Sequence, residues 1–322
     1  MKVTLDLDRL LADGSIDRSE YDKLVRLSSQ GTTSLAFSLV IGFGVVAVSL
    51  GLIALVPDAV TGLVLGAGLL GAGLLAYTTR PGQWEVVAHI CVLVGALTLA
   101  GGVVVLFDAA IPAMLGIAAG FALFGIVARS GLLVVLAVLA LSSSIGARTG
   151  YMHATYFLGI AEPTGTILLF SALALVALLA SLRMRHDMSR LALIAARTSV
   201  LLVNFGFWIG SLWGDSFSLF SLASPPEGAA EAAGIVISDR AFVVGWAMAL
   251  IAAGAWAAWA GRRWVVTVVA VFGMIHFYTQ WFEWFGPNPL SIFIGGVGTL
   301  AAALGLWRFN RGVWQGRAPA AS

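Results

Sequence analysis

The sequence predicts an all-α, polytopic transmembrane helical bundle, and its composition, repeat length and charge placement each point to that class. Of 322 residues, 60% are hydrophobic and only 11% are charged, and the mean hydropathy is +0.97. A soluble domain cannot bury that much apolar surface. Apolar stretches of roughly 20 residues recur along the chain, which is the length of a helix that crosses a hydrocarbon core of about 30 Å. Barrel strands are about half as long, so we expect a membrane protein built of helices.

Hydropathy predicts about ten spans. They are Ser34–Val56, Ala59–Tyr77, Val86–Phe107, Ala109–Ala128, Gly131–Ala147, Thr166–Leu182, Leu191–Trp213, Ala241–Ala260, Trp264–Trp284 and Pro289–Trp307. Spans five and six are short, and residues 149–165 between them are apolar enough to form a loop, an interfacial helix or a re-entrant segment. Nine or eleven spans fit the hydropathy as well.

Basic residues predict which side of the membrane each connection faces, because cytoplasmic loops collect Lys and Arg. When the amino terminus is placed inside, the outer loops hold only Arg148 and Arg240, and Arg197 falls within a span. The other 15 of the 18 basic residues lie on the inner side. We therefore expect a multi-pass protein of the cell (inner) membrane with both termini cytoplasmic. Since topology accounts for the bases, no nucleic-acid partner is predicted.

The chain divides into a predicted cytoplasmic helical hairpin (1–33), a transmembrane bundle (34–307) and a cytoplasmic tail (308–322). Within the hairpin, Gly14 interrupts a leucine-rich turn, and Asp17 with Glu20 three residues later predicts a capping box that opens a second helix. About 33 residues cannot build their own core. We therefore expect the hairpin to dock on the bundle, on a second copy in a homo-oligomer, or on a separate cytoplasmic protein.

Both ends of the chain carry a resemblance to a known group of proteins. The stretch "LLADGSIDRSEYDKLVRL" before a glycine-rich first span, and the closing "FYTQWFEWFGPNPLSIFIGGVGTLAAALGLWRFNR", resemble bacterial predicted membrane proteins of uncharacterised activity. Members of that group have a short amino-terminal helical hairpin and about ten spans. The resemblance covers the two ends, and the middle of the chain only by hydropathy. It implies a topology and no activity.

Span nine contains the best site candidate, "MIHFYTQWFEW", residues 274–284. Four of its polar residues fall within about 100° of arc on a helix and run inward from the outer boundary. These substrate-path candidates are His276, Thr279, Gln280 and Glu283. An interfacial aromatic belt accounts for Trp281 and Trp284. It does not account for His276 or Gln280.

Span seven carries a second polar stripe, which spans the whole bilayer. Its substrate-path candidates share one helix face and are Arg197, Asn204, Ser211 and Asp215. An arginine facing lipid at the bilayer centre costs roughly 2.5–3.5 kcal/mol, so Arg197 is expected to snorkel or to face the bundle. Asn204 lies near the midplane, where snorkelling is out of reach, and is expected to bond another helix.

Weaker candidates and packing signals complete the pattern. Glu85 and His89 lie four residues apart near the cytoplasmic end of span three, a spacing that permits a hydrogen bond or a proton hand-off. Small residues at four-residue spacing, such as Gly62 and Gly66, predict close helix packing. Signature motifs of enzymes are absent from the sequence. No catalytic residue, metal or cofactor is predicted.

Three classes of function fit the sequence. The first is a non-catalytic membrane scaffold or sensor with a cytoplasmic docking hairpin. The second is a small-solute transporter or permease in which spans seven and nine line the path, and the third is an intramembrane enzyme. Polar stripes that pair directly favour the first class, and stripes that meet around water favour the second. A paired acid and base beside a cleft would be needed for the third.

Overall fold

The computed structural model describes residues 10–11, 13–79, 84–152, 155–217 and 235–315, and within them the chain is predominantly helical. The helices are α1 (Arg18–Leu55), α2 (Ala59–Thr79), α3 (Glu85–Leu106), α4 (Ile111–Val127), α5 (Gly131–Ser144), α6 (Pro163–Arg183), α7 (His186–Trp213), α8 (Asp239–Ala260), α9 (Arg263–Phe285) and α10 (Pro289–Gln315). Two antiparallel pairs of short strands interrupt them. These are β1 (Ala147–Met152) with β2 (Thr155–Ile160), and β3 (Asp215–Phe217) with β4 (Ile235–Ile237).

Each helix overlaps one predicted span, in the same order. By length and composition, seven of the helices in the described ranges can cross a membrane, and the apolar parts of α4, α5 and α10 are shorter. Helix α5 has 14 residues, or about 21 Å, which is less than the thickness of the hydrocarbon core. The helical fold and its membrane character are therefore confirmed at the level of seven long apolar helices.

The amino-terminal helix differs from its predicted extent. Helix α1 runs without interruption from Arg18 to Leu55, across the expected boundary at residue 33, and its 38 residues make it about 57 Å long. The predicted capping box is confirmed, because the Asp17 carboxylate accepts from the Glu20 amide at 2.7 Å and the Glu20 carboxylate accepts from the Asp17 amide at 3.0 Å. Residues 1–9 and 12 of the predicted hairpin lie outside the described residues.

The ends of α6 and α10 also differ from those predicted by hydropathy. Helix α6 begins at Pro163 rather than Thr166, because proline has no amide hydrogen to lose in a first turn. Helix α10 continues to Gln315, eight residues beyond the predicted end of span ten at Trp307. Residues 316–322 of the predicted tail lie outside the described residues.

The segment 149–165 is mainly part of a β-hairpin and is not an interfacial helix. Strands β1 and β2 pair antiparallel, with Ala147 opposite Ile160 and Met152 opposite Thr155. Cross-strand bonds satisfy backbone amide and carbonyl groups that a loop would have to leave to other partners. After α7, the shorter pair β3 and β4 repeats the arrangement, with Asp215 opposite Ile237.

Two compact units make up the chain. Unit 1 comprises Met1–Ser144 and Ala180–Ala195, and unit 2 comprises Ile145–Leu179 and Ala196–Ser322. In unit 1 the core is mainly aliphatic around Val92 and Leu133, with Phe121 among its members, whereas in unit 2 an aromatic core forms around Trp246 and Phe272. These units follow packing and do not coincide with the hairpin, bundle and tail division.

Within unit 1, α2 and α3 approach each other through glycine. We call the facing residues the glycine seam; they are Gly62, Gly66 and Gly73 of α2 with Gly95 and Gly102 of α3. A Cβ atom built on Gly66 would lie 2.4 Å from the amide nitrogen of Leu99, and one built on Gly95 would lie 2.4 Å from that of Leu70. Only glycine allows this backbone contact, which confirms the packing role predicted for Gly62 and Gly66.

Candidate functional site

Unit 2 contains a cluster in which polar atoms and aromatic rings from three helices meet. We call it the aromatic–polar cluster; its members are Asn204 and Trp208 of α7, Trp246 of α8, and His276 and Thr279 of α9. At its centre Trp246 has 0% of its surface exposed. Its indole Nε1 donates to the amide oxygen of Asn204 at 3.0 Å. A buried indole needs such a partner, because an unpaired N–H in an apolar interior is costly.

The backbone of α7 orients Asn204 for this bond. The side-chain nitrogen of Asn204 donates to the carbonyl oxygen of Val200, one turn earlier, at 2.8 Å. That bond turns the amide oxygen toward Trp246, and the side chain is 8% exposed. The Asn204 amide therefore bonds another helix, as expected from its position within predicted span seven.

Helices α7 and α9 are in direct contact. The indole Nε1 of Trp208 donates to the hydroxyl oxygen of Thr279 at 2.9 Å. One turn from Thr279, the His276 ring meets Trp246 edge to face, with ring centroids 4.9 Å apart. Trp246 in turn lies against Phe272, at 6.5 Å between centroids. The polar face of span nine thus packs on tryptophans of α7 and α8.

Two polar atoms on the same face of α9 have no partner. Within the described residues, His276 Nδ1 and Gln280 Nε2 are buried and make no hydrogen bond. They lie one helical turn apart, so both can address a single small group between them. Glu283, the fourth member of the predicted stripe, is exposed and lies outside this arrangement.

The remaining members of the span-seven stripe have separate surroundings. The Ser211 hydroxyl is buried and donates to the Trp208 carbonyl of its own helix at 2.7 Å. The Asp215 carboxylate accepts the backbone amide of Thr164 at 2.8 Å and so caps the amino terminus of α6. Ser211 and Asp215 thus bond partners other than those of Asn204.

Arg197 points away from the cluster. It is exposed, and its guanidinium carbon lies 5.2 Å from the centre of the Trp264 ring, within cation–π range. Trp264 is the second residue of α9, so the Arg197 side chain extends toward the amino-terminal end of α9, where predicted span nine begins. This is the geometry of a snorkelling side chain.

The carboxyl-terminal part of α9 contacts α10 through its aromatic residues. The Tyr278 hydroxyl bonds the Thr299 hydroxyl and donates to the Gly295 carbonyl at 3.3 Å. The Trp281 indole donates to the Ser291 carbonyl at 3.0 Å. Trp284 is 80% exposed, as an interfacial belt residue is, and Phe285 beside it is 59% exposed.

The Glu85 and His89 pair, which lies in unit 1, does not join through its side chains. His89 Nδ1 lies 2.8 Å from the backbone oxygen of Glu85, and Nε2 lies 3.1 Å from that of Ala128, in the turn after α4. The ring also packs edge-on against Tyr77, with centroids 5.2 Å apart. His89 thus connects three helices of unit 1 near one end.

Sequence reasoning missed the two tryptophans that organise the cluster. Trp246 is the eighth residue of α8 and Trp208 lies about one and a half turns before the end of α7, both inside a span. A tryptophan within a span, away from the interface, needs a polar partner for its indole N–H. That depth is the signal that could have paired Trp246 with Asn204.

No member of the cluster is an acid or a permanently charged base, and its hydrogen bonds join indole, amide, hydroxyl and backbone carbonyl groups. In the described ranges, no group of three or more His, Cys, Asp or Glu residues is placed to hold a metal ion. In comparisons with known proteins, no family model matches the chain, and neither a curated protein nor a solved structure matches it.

Proposed function

We propose that this protein is a non-catalytic scaffold or sensor of the cell (inner) membrane, with about ten spans and both termini cytoplasmic. In the described ranges, ten apolar helices follow the order of the ten predicted spans, which supports the count. Charge supports the orientation, because this topology puts 15 of 18 basic residues on the inner side.

Reporter fusions test the topology. Fluorescent protein fused after residue 322 is expected to fluoresce, whereas alkaline phosphatase fused after residue 230, in the connection between α7 and α8, is expected to be active. The reverse pattern would show that the bundle has the opposite orientation in the membrane. Activity of the phosphatase at both positions would require an even number of spans between residues 230 and 322, in place of the three proposed.

The observation that carries the scaffold proposal is the direct bond between Asn204 and the fully buried Trp246. Lipid offers no hydrophobic drive for helix association, so interhelical hydrogen bonds and close packing hold spans together. Trp208 and Thr279 supply a second bond of this kind. Polar stripes used in this way fasten α7, α8 and α9 and do not line a wet path.

The amino-terminal segment supports a docking role. A helix of about 57 Å exceeds a hydrocarbon core of about 30 Å, so the part of α1 near Arg18 extends beyond the bilayer. Its partner in this proposal is a second copy of the chain or a cytoplasmic protein. Deleting residues 2–30 is expected to leave membrane insertion intact, because the first span carries the signal, and loss of the protein from the membrane fraction would contradict that.

One observation favours the second candidate, a small-solute transporter or permease. His276 Nδ1 and Gln280 Nε2 are buried, unpaired and one turn apart on α9. A hydrogen-bonding solute between α7 and α9 would satisfy both atoms. In that case His276, Gln280 and Asn204 would contact the solute.

A melting experiment separates the two candidates. We would measure the melting temperature in mild detergent between about pH 5 and pH 8, where histidine changes charge, against a metabolite library. For a scaffold, His276→Ala is expected to be less stable than the wild type at every pH, with no compound stabilising the wild type selectively. Thr267→Ala, an exposed threonine of the same helix, is the matched control. A compound that stabilises the wild type and Thr267→Ala but not His276→Ala would overturn the scaffold proposal.

A further inference from the structure

The end of unit 1 that the proposed topology places in the cytoplasm exposes four arginines. We call them the arginine surface; they are Arg129 in the turn after α4, Arg183 and Arg185 at the junction of α6 and α7, and Arg190 in α7. Two contacts hold the turns together. Arg129 pairs with Asp187 at 2.8 Å, and Arg190 donates to the Arg129 carbonyl at 3.3 Å.

The surface carries unneutralised positive charge. Asp187 is the only acid between residues 163 and 214, and it is already paired with Arg129. Within the part of the chain that the structure describes, neither Arg183 nor Arg185 has a salt-bridge partner. Four guanidinium groups against one carboxylate leave a net charge of +3. Glu85, at the start of α3, is linked to the Ala128 turn only through His89, which contacts the backbone oxygens of both residues, and the Glu85 side chain is exposed.

Apolar side chains alternate with these cations at the junction. Leu182 is 73% exposed and Met184 is 51% exposed, on either side of Arg183. A stretch that presents both aliphatic and cationic side chains fits the boundary between acyl chains and headgroups. All four bases are arginine, whose planar guanidinium binds phosphate through two parallel hydrogen bonds.

We infer that the arginine surface binds the phosphate headgroups of anionic phospholipids in the cytoplasmic leaflet, with Leu182 and Met184 entering the acyl layer. Arg183 and Arg185 hold the headgroup. Arg129 and Arg190 shape the neighbouring turn, because their own contacts fix its backbone. This role goes beyond orientation during insertion, since it acts on the folded protein.

The test is thermal melting of the full chain in nanodiscs of phosphatidylcholine, with and without phosphatidylglycerol. Phosphatidylglycerol is expected to raise the melting temperature of the wild type, and the rise should shrink as salt increases. The double variant Arg183→Gln with Arg185→Gln is expected to lose most of the rise while melting like the wild type in phosphatidylcholine alone. Arg183→Lys with Arg185→Lys is expected to keep part of it, because charge remains and the planar fork is lost.

The matched control is Arg262→Gln with Arg263→Gln, at the junction of α8 and α9, which the proposed topology places on the same side. No headgroup is assigned to this junction, so the double variant is expected to keep the full rise. An equal loss in both pairs would reduce the effect to diffuse charge and overturn the inference. Equal stabilisation of the wild type by inorganic phosphate in phosphatidylcholine would also overturn it, in favour of a site for soluble anions.

Discussion

The glycine seam of unit 1 and the aromatic–polar cluster of unit 2 hold helices together in opposite ways. In the seam, α2 and α3 are in contact through backbone atoms, because the facing residues are glycines and have no side chains to keep the helices apart. In the cluster, α7, α8 and α9 are separated by indole and imidazole rings and joined by side-chain hydrogen bonds. Adding atoms to the glycines of the seam should therefore lower the free energy of unfolding, and removing a polar atom from the cluster should do the same.

The largest effect is expected in the seam. Gly95→Ala puts a methyl group 2.4 Å from the backbone nitrogen of Leu70 and 2.9 Å from the backbone oxygen of Gly66. Backbone atoms cannot rotate away as a side chain does, so the helices must separate, at a cost of about 3 kcal/mol. The free energy of unfolding in detergent measures the loss. Gly101→Ala, on the same helix with nothing within 4 Å, should be neutral or slightly stabilising. Equal melting of both variants would contradict the seam.

Removing the amide at the centre of the cluster is expected to cost less. Asn204→Leu leaves the indole N–H of Trp246 unpaired at 0% exposure, which lowers the free energy of unfolding by roughly 1–2 kcal/mol. A double-mutant cycle with Trp246→Phe measures the bond itself. The two changes should cost less together than the sum of their separate costs. Additive costs would show that the contact contributes no coupling.

The second bond of the cluster is expected to be weaker. Thr279→Val keeps the shape of the side chain and removes the oxygen that accepts from Trp208. Thr279 is only partly buried, so we expect a loss of about 0.6 kcal/mol, the mean for such bonds in membranes. Thr267→Val, at an exposed position of α9, is the control in the same unfolding assay. A loss larger than that of Asn204→Leu would show that the bond between α7 and α9 stabilises the cluster more than the bond between α7 and α8.

The smallest effect is expected for an exposed ion pair, which sets a baseline for both regions. Arg129 and Asp187 are paired at 2.8 Å, but their side chains are 60% and 54% exposed. Asp187→Asn should change the free energy of unfolding by about 0–1 kcal/mol, and high salt should erase the difference. A larger, salt-independent loss would show that this pair is shielded from solvent.

The helices were predictable because a span is a local property of composition. Each predicted span has its helix, and the capping box at Asp17 could be read from two residues three apart. Which helix a given residue contacts was not predictable in the same way, because such contacts join distant parts of the chain. Glycine spacing correctly indicated a close contact at Gly66, yet the similar run in α10 has none at Gly296, where nothing lies within 4 Å.

The site was predictable only in part, for the same reason. Periodicity put His276, Thr279 and Gln280 on one face, but their tryptophan partners come from helices about 30 and 70 residues earlier in the chain. The β-hairpin at 147–160 was missed because its apolar residues fit a loop, an interfacial helix or a re-entrant segment equally well, and cross-strand pairing is not visible in hydropathy. The position of Trp246 within a predicted span is the one local feature that could have indicated a polar partner for its indole N–H.

The closeness of α2 and α3 has a further consequence for the glycine hydrogens. Built Cβ atoms on Gly66 and Gly95 would each lie 2.9 Å from the other residue's carbonyl oxygen. In glycine a hydrogen points along that direction, so each Cα–H is aimed at the opposite carbonyl, and the two contacts are reciprocal. Such weak bonds contribute about 0.5–1 kcal/mol each, so the two helices attract each other at the seam as well as lying close together. Deuterium placed on these two Cα atoms would report the contact as a shifted C–D stretching frequency.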